Sequence, residues 1–131
     1  MLEVLKLRGT VFSGKGEGAR FLKLPEVRRQ IEDKLGFTPY PGTLNIKLTE
    51  KEAFKKAPLR EAEGKKISRG SEFHTGIVFE ARSKTGIQCG IVIPQIPEYP
   101  KDVIEVIAPT ELREYLKLED GDLLKIDILI E

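Results

Sequence analysis

Three stretches of this sequence hold residues whose types and spacing suit phosphate, metal or proton chemistry. The first is GKGEG, Gly14 to Gly18. Glycines at alternate positions let backbone N–H groups approach phosphate oxygens with no Cβ in the way. The stretch lacks the lysine and hydroxyl that a P-loop places after its second glycine, and no dinucleotide fingerprint follows, so a plain turn after a strand is the competing reading. The second is GTLNIKL, Gly42 to Leu48, in which Thr43 and Asn45 stand two apart and share one side of a strand. Two neutral oxygen ligands on one face suit Mg²⁺, which keeps several waters and takes further ligands from substrate phosphates. The alternative is that both satisfy backbone groups at a strand start. The third is Glu105 in DVIEVIAP, flanked at i−2 and i+2 by Val103 and Ile107. Either its carboxylate shares a partly desolvated face with them, as a general base or ligand anchor would, or all three face solvent while Ile104 and Val106 fill the core.

Other polar candidates carry less. His74 is the single histidine, so metal and triad readings have no second imidazole, and an exposed strand position is expected. Asp120 and Asp122 flank Gly121 without the remaining ligands of a calcium loop, which makes them a turn. Arg28, Arg29, Glu32 and Asp33 form an ordinary solvated helix face. Cys89, the only cysteine, excludes an internal disulfide and a cysteine-based zinc site, and reads as a small core hydrophobe.

The elements that position these residues follow from periodicity. From Glu3 to Phe12, Leu5, Leu7 and Val11 alternate with Lys6, Arg8 and Thr10, the period-2 pattern of a half-buried strand. After the glycine-dense loop Ser13 to Gly18, Leu24, Val27, Ile31 and Leu35 recur at helical spacing between Pro25 and Gly36. Pro39, Pro41 and Gly42 then break the chain into a short strand from Thr43 to Leu48. Lys51 to Lys66 shows little periodicity and is expected to be a surface connection with at most a short helical turn. Further strands are expected around Lys65 to Arg69, His74 to Arg82 and Ile87 to Ile93, with SKTG as a hairpin turn. DVIEVIAP is a β-branched run, PTELREYLKL a short helix with Thr110 as N-cap, and LLKIDILIE a last strand with Leu124, Ile126, Ile128 and Ile130 on one face. Six or seven short strands, two short helices and no regular βα alternation predict a mainly β chain closed into a small six-stranded barrel.

Composition bounds the function. At 131 residues the chain suits one domain with its own core. Its 22 basic and 21 acidic residues leave +1, too little for a global field toward nucleic acid or anionic lipid, so any anionic ligand must be held locally. No stretch approaches the length of a signal-peptide core or of a membrane span. A cytoplasmic monomer with small-molecule ligands is the expectation, without nucleic-acid or membrane partners.

Ser13 to Pro25 (SGxGEGxxFLxLP), Leu35 to Leu48 (LGFxPYxGTLNxKL), Asp102 to Arg113 (DVIEVIAPxxLR) and Leu118 to Asp122 (LxDGD) together resemble the archaeal CTP-dependent riboflavin kinases, in order along nearly the whole chain. The resemblance implies a cradle-loop barrel that takes CTP, Mg²⁺ and riboflavin and yields FMN and CDP over residues 1–131, without the N-terminal helix-turn-helix domain of some relatives. It implies that Lys15, Gly16, Glu17, Gly18, Ala19 and Arg20, with Thr110, Glu111, Leu112 and Arg113, embrace the nucleotide. Thr43 and Asn45 would hold Mg²⁺, as the Thr-x-Asn arrangement of ATP-using riboflavin kinases does. Glu105 would contact the ribityl chain near the hydroxyl that is phosphorylated. Where the family carries a flavin-touching threonine, ahead of the DVIEVIAP block, Pro97 stands here. Two other classes stay open: a flavin-binding module without catalysis, and an AbrB-like DNA-binding barrel, which would dimerise and present basic loops.

Overall fold

A computed structural model describes residues 3–14, 16–56, 59, 65–67, 76–83, 85–95 and 99–130. Its strands are β1 (Glu3–Phe12), β2 (Leu44–Leu48), β3 (Lys65–Ile67), β4 (Gly76–Ser83), β5 (Gln88–Pro94), β6 (Val103–Ile107) and β7 (Leu123–Ile130). They lie in the order β3-β4-β5-β6-β2-β1-β7, every pairing antiparallel. Ala81–Ser83 of β4 also pair with β7, so six strands close into a barrel, and β3 rides outside the ring on the first residues of β4. Closure satisfies the sheet edges that an open sheet of this length would expose.

Alternation along each strand produces two cores. Leu7, Val11, Ile46, Ile91, Ile104, Val106, Ile126 and Ile128 point inward and fill the barrel. Cys89 lies among them, and burial pushes its thiol up to about 12, which makes it an inert apolar group. The opposite faces of β4, β5 and β6 contribute Val78, Val92 and Ile107 to a second apolar layer, covered by Leu22, Val27, Ile31 and Leu35 from two helices. These helices are α1 (Glu17–Lys23) and α2 (Pro25–Leu35). Helix α2 has the expected bounds, with proline in its first turn and Gly36 at its end.

Three expectations are corrected. The described residues hold four helices rather than two, the others being α3 (Glu50–Lys55) and α4 (Leu112–Tyr115). The glycine-dense loop stops at Gly16, which takes a left-handed conformation (φ 82°) as the N-cap of α1. Gly18 costs a helix about 1 kcal/mol, but fully burying Leu22 returns about 1.5–3 kcal/mol, so packing prevails over propensity. Thr110 does not cap α4: the chain stays extended through Glu111, whose carbonyl accepts the Tyr115 N–H, and Glu111 is the N-cap. Helix α3, inside the stretch expected to be connection, is N-capped by Thr49, whose hydroxyl accepts the Glu52 N–H at 3.3 Å. His74 and Lys84 of the expected SKTG turn lie outside the described residues.

Candidate functional site

The register of the barrel brings together residues that are far apart in sequence. Asn45 of β2 is the direct partner of Phe12 on β1 and of Glu105 on β6, and Glu105 in turn faces Val92 of β5, which faces Val78 of β4. Directly opposed residues share a face, so Phe12, Asn45, Glu105, Val92 and Val78 form one row across the outside of the barrel. The last two are buried under α1 and α2, whereas Asn45 and Glu105 are half-buried at the margin of that apolar layer. Of the two readings for Glu105, the partly desolvated face is the one observed: Glu105 shares its face with Ile107, which is buried beneath the helices, while Ile104 and Val106 fill the barrel from the other face.

Thr43, just ahead of β2, donates its hydroxyl to Glu105 Oε1 at 3.1 Å. The other carboxylate oxygen, Oε2, accepts the Tyr99 hydroxyl at 2.7 Å. The loop after β1 approaches the same cluster, because a Cβ on Gly14 would collide with the Asn45 amide. Only glycine lets the backbone lie this close to that side chain.

A cleft of about 100 Å³ adjoins the cluster, between Tyr40–Leu44 on one side and Val106, Ala108 and Thr110–Arg113 on the other. The Tyr40 N–H donates to the Ala108 carbonyl at 2.8 Å and straps the two walls together. The Glu111 carboxylate pushes the Tyr40 phenol up, with burial adding to it. Arg113 reaches back to the end of β1. Its Nη2 lies 2.9 Å from Asp120 Oδ1 and donates to the Phe12 carbonyl at 3.5 Å, while the Ser13 hydroxyl donates to both Asp120 oxygens at 3.0 and 2.9 Å. Asp120 thus ties the start of the glycine loop to α4, and the Ser13 hydrogen bond, followed by that of Arg113, holds its carboxyl below the usual range.

A larger cleft of about 450 Å³ lies elsewhere, on β1, β7 and α3, lined by Lys6, Arg8, Lys51, Lys55 and Lys125 with Glu52 and Asp127. Glu52, 3% exposed, accepts the Arg8 N–H at 3.3 Å and pairs with Lys55 at 3.1 Å. Strand β2 ends at Leu48 opposite Gly9, and Glu52 takes the place of a strand partner for Arg8.

The family model labelled CTP-dep_RFKase, described as a domain of unknown function (DUF120), matches residues 11–128. The chain belongs to this CTP-dependent riboflavin kinase family. Curated relatives named riboflavin kinase include those of Pyrobaculum islandicum (47% identical over 131 residues, 97% of this chain and 62% of the relative), Archaeoglobus fulgidus (39% over 130, 96% and 55%) and Ignicoccus hospitalis (40% over 130, 96% and 71%). The chain thus spans a little over half the length of the first two.

In the frame of the riboflavin kinase family, the residues expected from sequence fall into three groups. Thr43, Asn45 and Glu105 converge within hydrogen-bonding range or direct strand register. Thr110, Glu111, Leu112 and Arg113 line the small cleft together with Thr43. Gly16 and Arg20 open α1, linked by the Arg20 N–H to the Gly16 carbonyl at 3.4 Å, and Glu17, Gly18 and Ala19 form the backbone of its first turn. Lys15 and Pro97 lie outside the described residues. Among the described residues no group of three His, Cys, Asp or Glu side chains is arranged for a metal, so a cation here would rely on Thr43 and Asn45 with one carboxylate beside them. Such a sparse set of hard oxygen donors fits Mg²⁺, which completes its shell with phosphate and water. Sequence reasoning missed Tyr99 and Glu52, and read Asp120 only as a turn residue. Only Glu52 had a local signal, the Thr49-x-x-Glu52 pattern of a capping box.

Proposed function

We propose that this chain transfers the γ-phosphoryl group of CTP to the 5′-hydroxyl of riboflavin, giving FMN and CDP. The observation that carries the reading is the convergence of Thr43, Asn45 and Glu105 on one patch of the barrel wall, between the glycine loop and the cleft formed by Thr110–Arg113. Phosphoryl transfer asks a protein chiefly to position reactants and to neutralise developing charge, and these parts answer both needs. Backbone N–H groups of residues 16–19 and the Arg113 guanidinium are suited to the CTP phosphates. Thr43 and Asn45 would hold Mg²⁺, which when bound screens phosphate charge. Glu105 accepts the 5′-hydroxyl proton as the ribityl oxygen bonds to the γ-phosphorus and the bond to the β-phosphate oxygen breaks. The reaction needs neither nucleic acid nor membrane. Among the described residues no helix is long and apolar enough to cross a membrane.

The test is an assay of purified protein with riboflavin and Mg²⁺, comparing CTP with ATP and resolving FMN by chromatography. FMN formed with CTP and abolished by EDTA is the expected result. FMN formed only with ATP would overturn the donor, and flavin binding without FMN under either nucleotide would replace the kinase with a binding module.

A further inference from the structure

Glu105 is held by two hydroxyls, and only one of them belongs to a residue with another task. Thr43 is a proposed cation ligand. Tyr99, whose phenol donates to Oε2 at 2.7 Å, has no other hydrogen-bond partner among the described residues. That separation is typical of a hydroxyl donating to an ionised carboxylate. Burial, then the neighbouring Glu105 charge, pushes the phenol far above its ordinary range, so it remains a donor at every working pH.

The Tyr99 ring is itself fixed. Lys56, 4% exposed, lies with Nζ 5.6 Å from the ring centroid. The same ammonium donates to the Val103 carbonyl at 2.8 Å and the Lys101 carbonyl at 3.4 Å. Lys56 therefore pins both the ring and the backbone between Tyr99 and Glu105, with its cation over the ring.

We propose that Tyr99 is a positioning residue for the reaction: its hydroxyl fixes the plane of the Glu105 carboxylate so that a free lone pair meets the riboflavin hydroxyl. The assignment rests on the kinase reading. A neutral donor suits this task, because it restrains the carboxylate while leaving its charge and one lone pair on each oxygen to act on the substrate. A cation in the same place would quench the base.

The experiment is a double-mutant cycle of Tyr99→Phe and Glu105→Gln, with kcat for FMN formation, riboflavin Kd from flavin fluorescence, and Tm measured on all four proteins. Phenylalanine keeps the ring over which Lys56 sits, so Tm is expected to stay put. In the wild-type background Y99F is expected to lower kcat about tenfold, the worth of one charge-assisted hydrogen bond, while riboflavin Kd changes by less than about twofold. In the E105Q background Y99F is expected to have no further effect on kcat, since Tyr99 acts only through Glu105. An unchanged kcat in Y99F, or losses that multiply in the double variant, would overturn the role of Tyr99 and leave the kinase standing. Wild-type protein that binds riboflavin but makes no FMN with CTP or ATP would overturn the kinase reading, and the positioning role with it.

Discussion

Two carboxylates on the outer wall of one barrel are held in opposite ways. Glu52, between β1 and α3, is buried and surrounded by cations and a backbone donor: Lys55 at 3.1 Å, the Arg8 guanidinium at 3.6 Å and the Arg8 N–H at 3.3 Å. Glu105, between β2 and β5, is half-buried and meets two neutral hydroxyls, Thr43 and Tyr99. The cations around Glu52 consume its charge. Arg8 and Lys125 are direct partners across β1 and β7, an unfavourable pairing of like charges that Glu52 relieves by drawing Arg8 toward itself. The hydroxyls around Glu105 fix its direction and leave its charge unspent. The same side-chain chemistry thus serves the fold in one region and remains available to a ligand in the other, and the kind of donor decides which.

If that distinction holds, the two glutamates respond to the same substitution in opposite ways. Glu105→Gln preserves size and is expected to lower kcat by about 10²–10⁴-fold, the span of general-base catalysis, with the urea midpoint unchanged. An effect on KM alone would make Glu105 an anchor. Asn45→Ala, on the same patch, is expected to abolish turnover in Mg²⁺ with the fold intact, and undiminished turnover would remove Asn45 from the cation site.

Glu52→Gln is the mirror experiment, with a smaller expected effect. It should cost about 2 kcal/mol of stability, one to two charge-assisted hydrogen bonds whose cations stay partly solvated, while kcat at 25 °C is retained. Burial alone would raise the Glu52 carboxyl, but hydrogen bonds from Lys55 and the Arg8 N–H, with the charges of both residues, hold it below its ordinary range. The group therefore ionises at lower pH folded than unfolded. Its contribution is complete above the ordinary carboxylate range and is lost as pH falls toward the folded-state value. Urea titrations at pH 7 and pH 3 should show wild type and E52Q converging at the lower pH; a constant gap would refute the ion-pair account.

The contrast between these regions also explains what could be read from the chain itself. Strands β1 and β7 were plain because one face of each meets the barrel core, and period 2 follows from that alone. Helix α2 was plain because 11 residues hold three turns of apolar spacing. Helices α1 and α3, of 7 and 6 residues, are too short for periodicity to show, and their formation depends on burying Leu22 and on the Thr49 cap. Thr43, Asn45 and Glu105 were each visible as types in a pattern. Their meeting was not, since β2 pairs with β6 across the three intervening strands. Tyr99 gave no signal because no periodic pattern ties it to Glu105, six residues on, and the capping pattern at Glu52 marked a helix start but not its partner Arg8, 44 residues away.

Gly14 sharpens the comparison from the side of the loop. Alanine there would push its Cβ into the Asn45 amide. Overpacking at such a contact costs about 1–3 kcal/mol, but the Asn45 side chain can yield, so the disturbance should appear at the site before it appears in the fold. Gly14→Ala is expected to lower kcat/KM for CTP by about tenfold, a loss of about 1.4 kcal/mol in transition-state binding, with Tm nearly unchanged. A lower Tm with intact kinetics would place Gly14 with Glu52, as a residue of the fold.

The smallest effect is expected at Asp120, which combines the two modes. It meets a cation, Arg113, as Glu52 does, and a hydroxyl, Ser13, as Glu105 does, yet it is exposed and open to salt. Exposed pairs contribute little to stability, so Asp120→Ala should leave Tm alone. What it removes is the tie between the glycine loop and α4, two segments proposed to close on the nucleotide. KM for CTP is therefore expected to rise about two- to fivefold with kcat retained, and the wild-type value should climb toward that of the variant as ionic strength increases. Because Ser13 and Arg113 hold the Asp120 carboxyl below its usual range, the tie persists through that range and is released only as pH falls to the lower folded-state value. A variant whose KM matches wild type at low salt would mean that the two segments find each other without Asp120, and that the cleft is set by the Tyr40 to Ala108 strap alone.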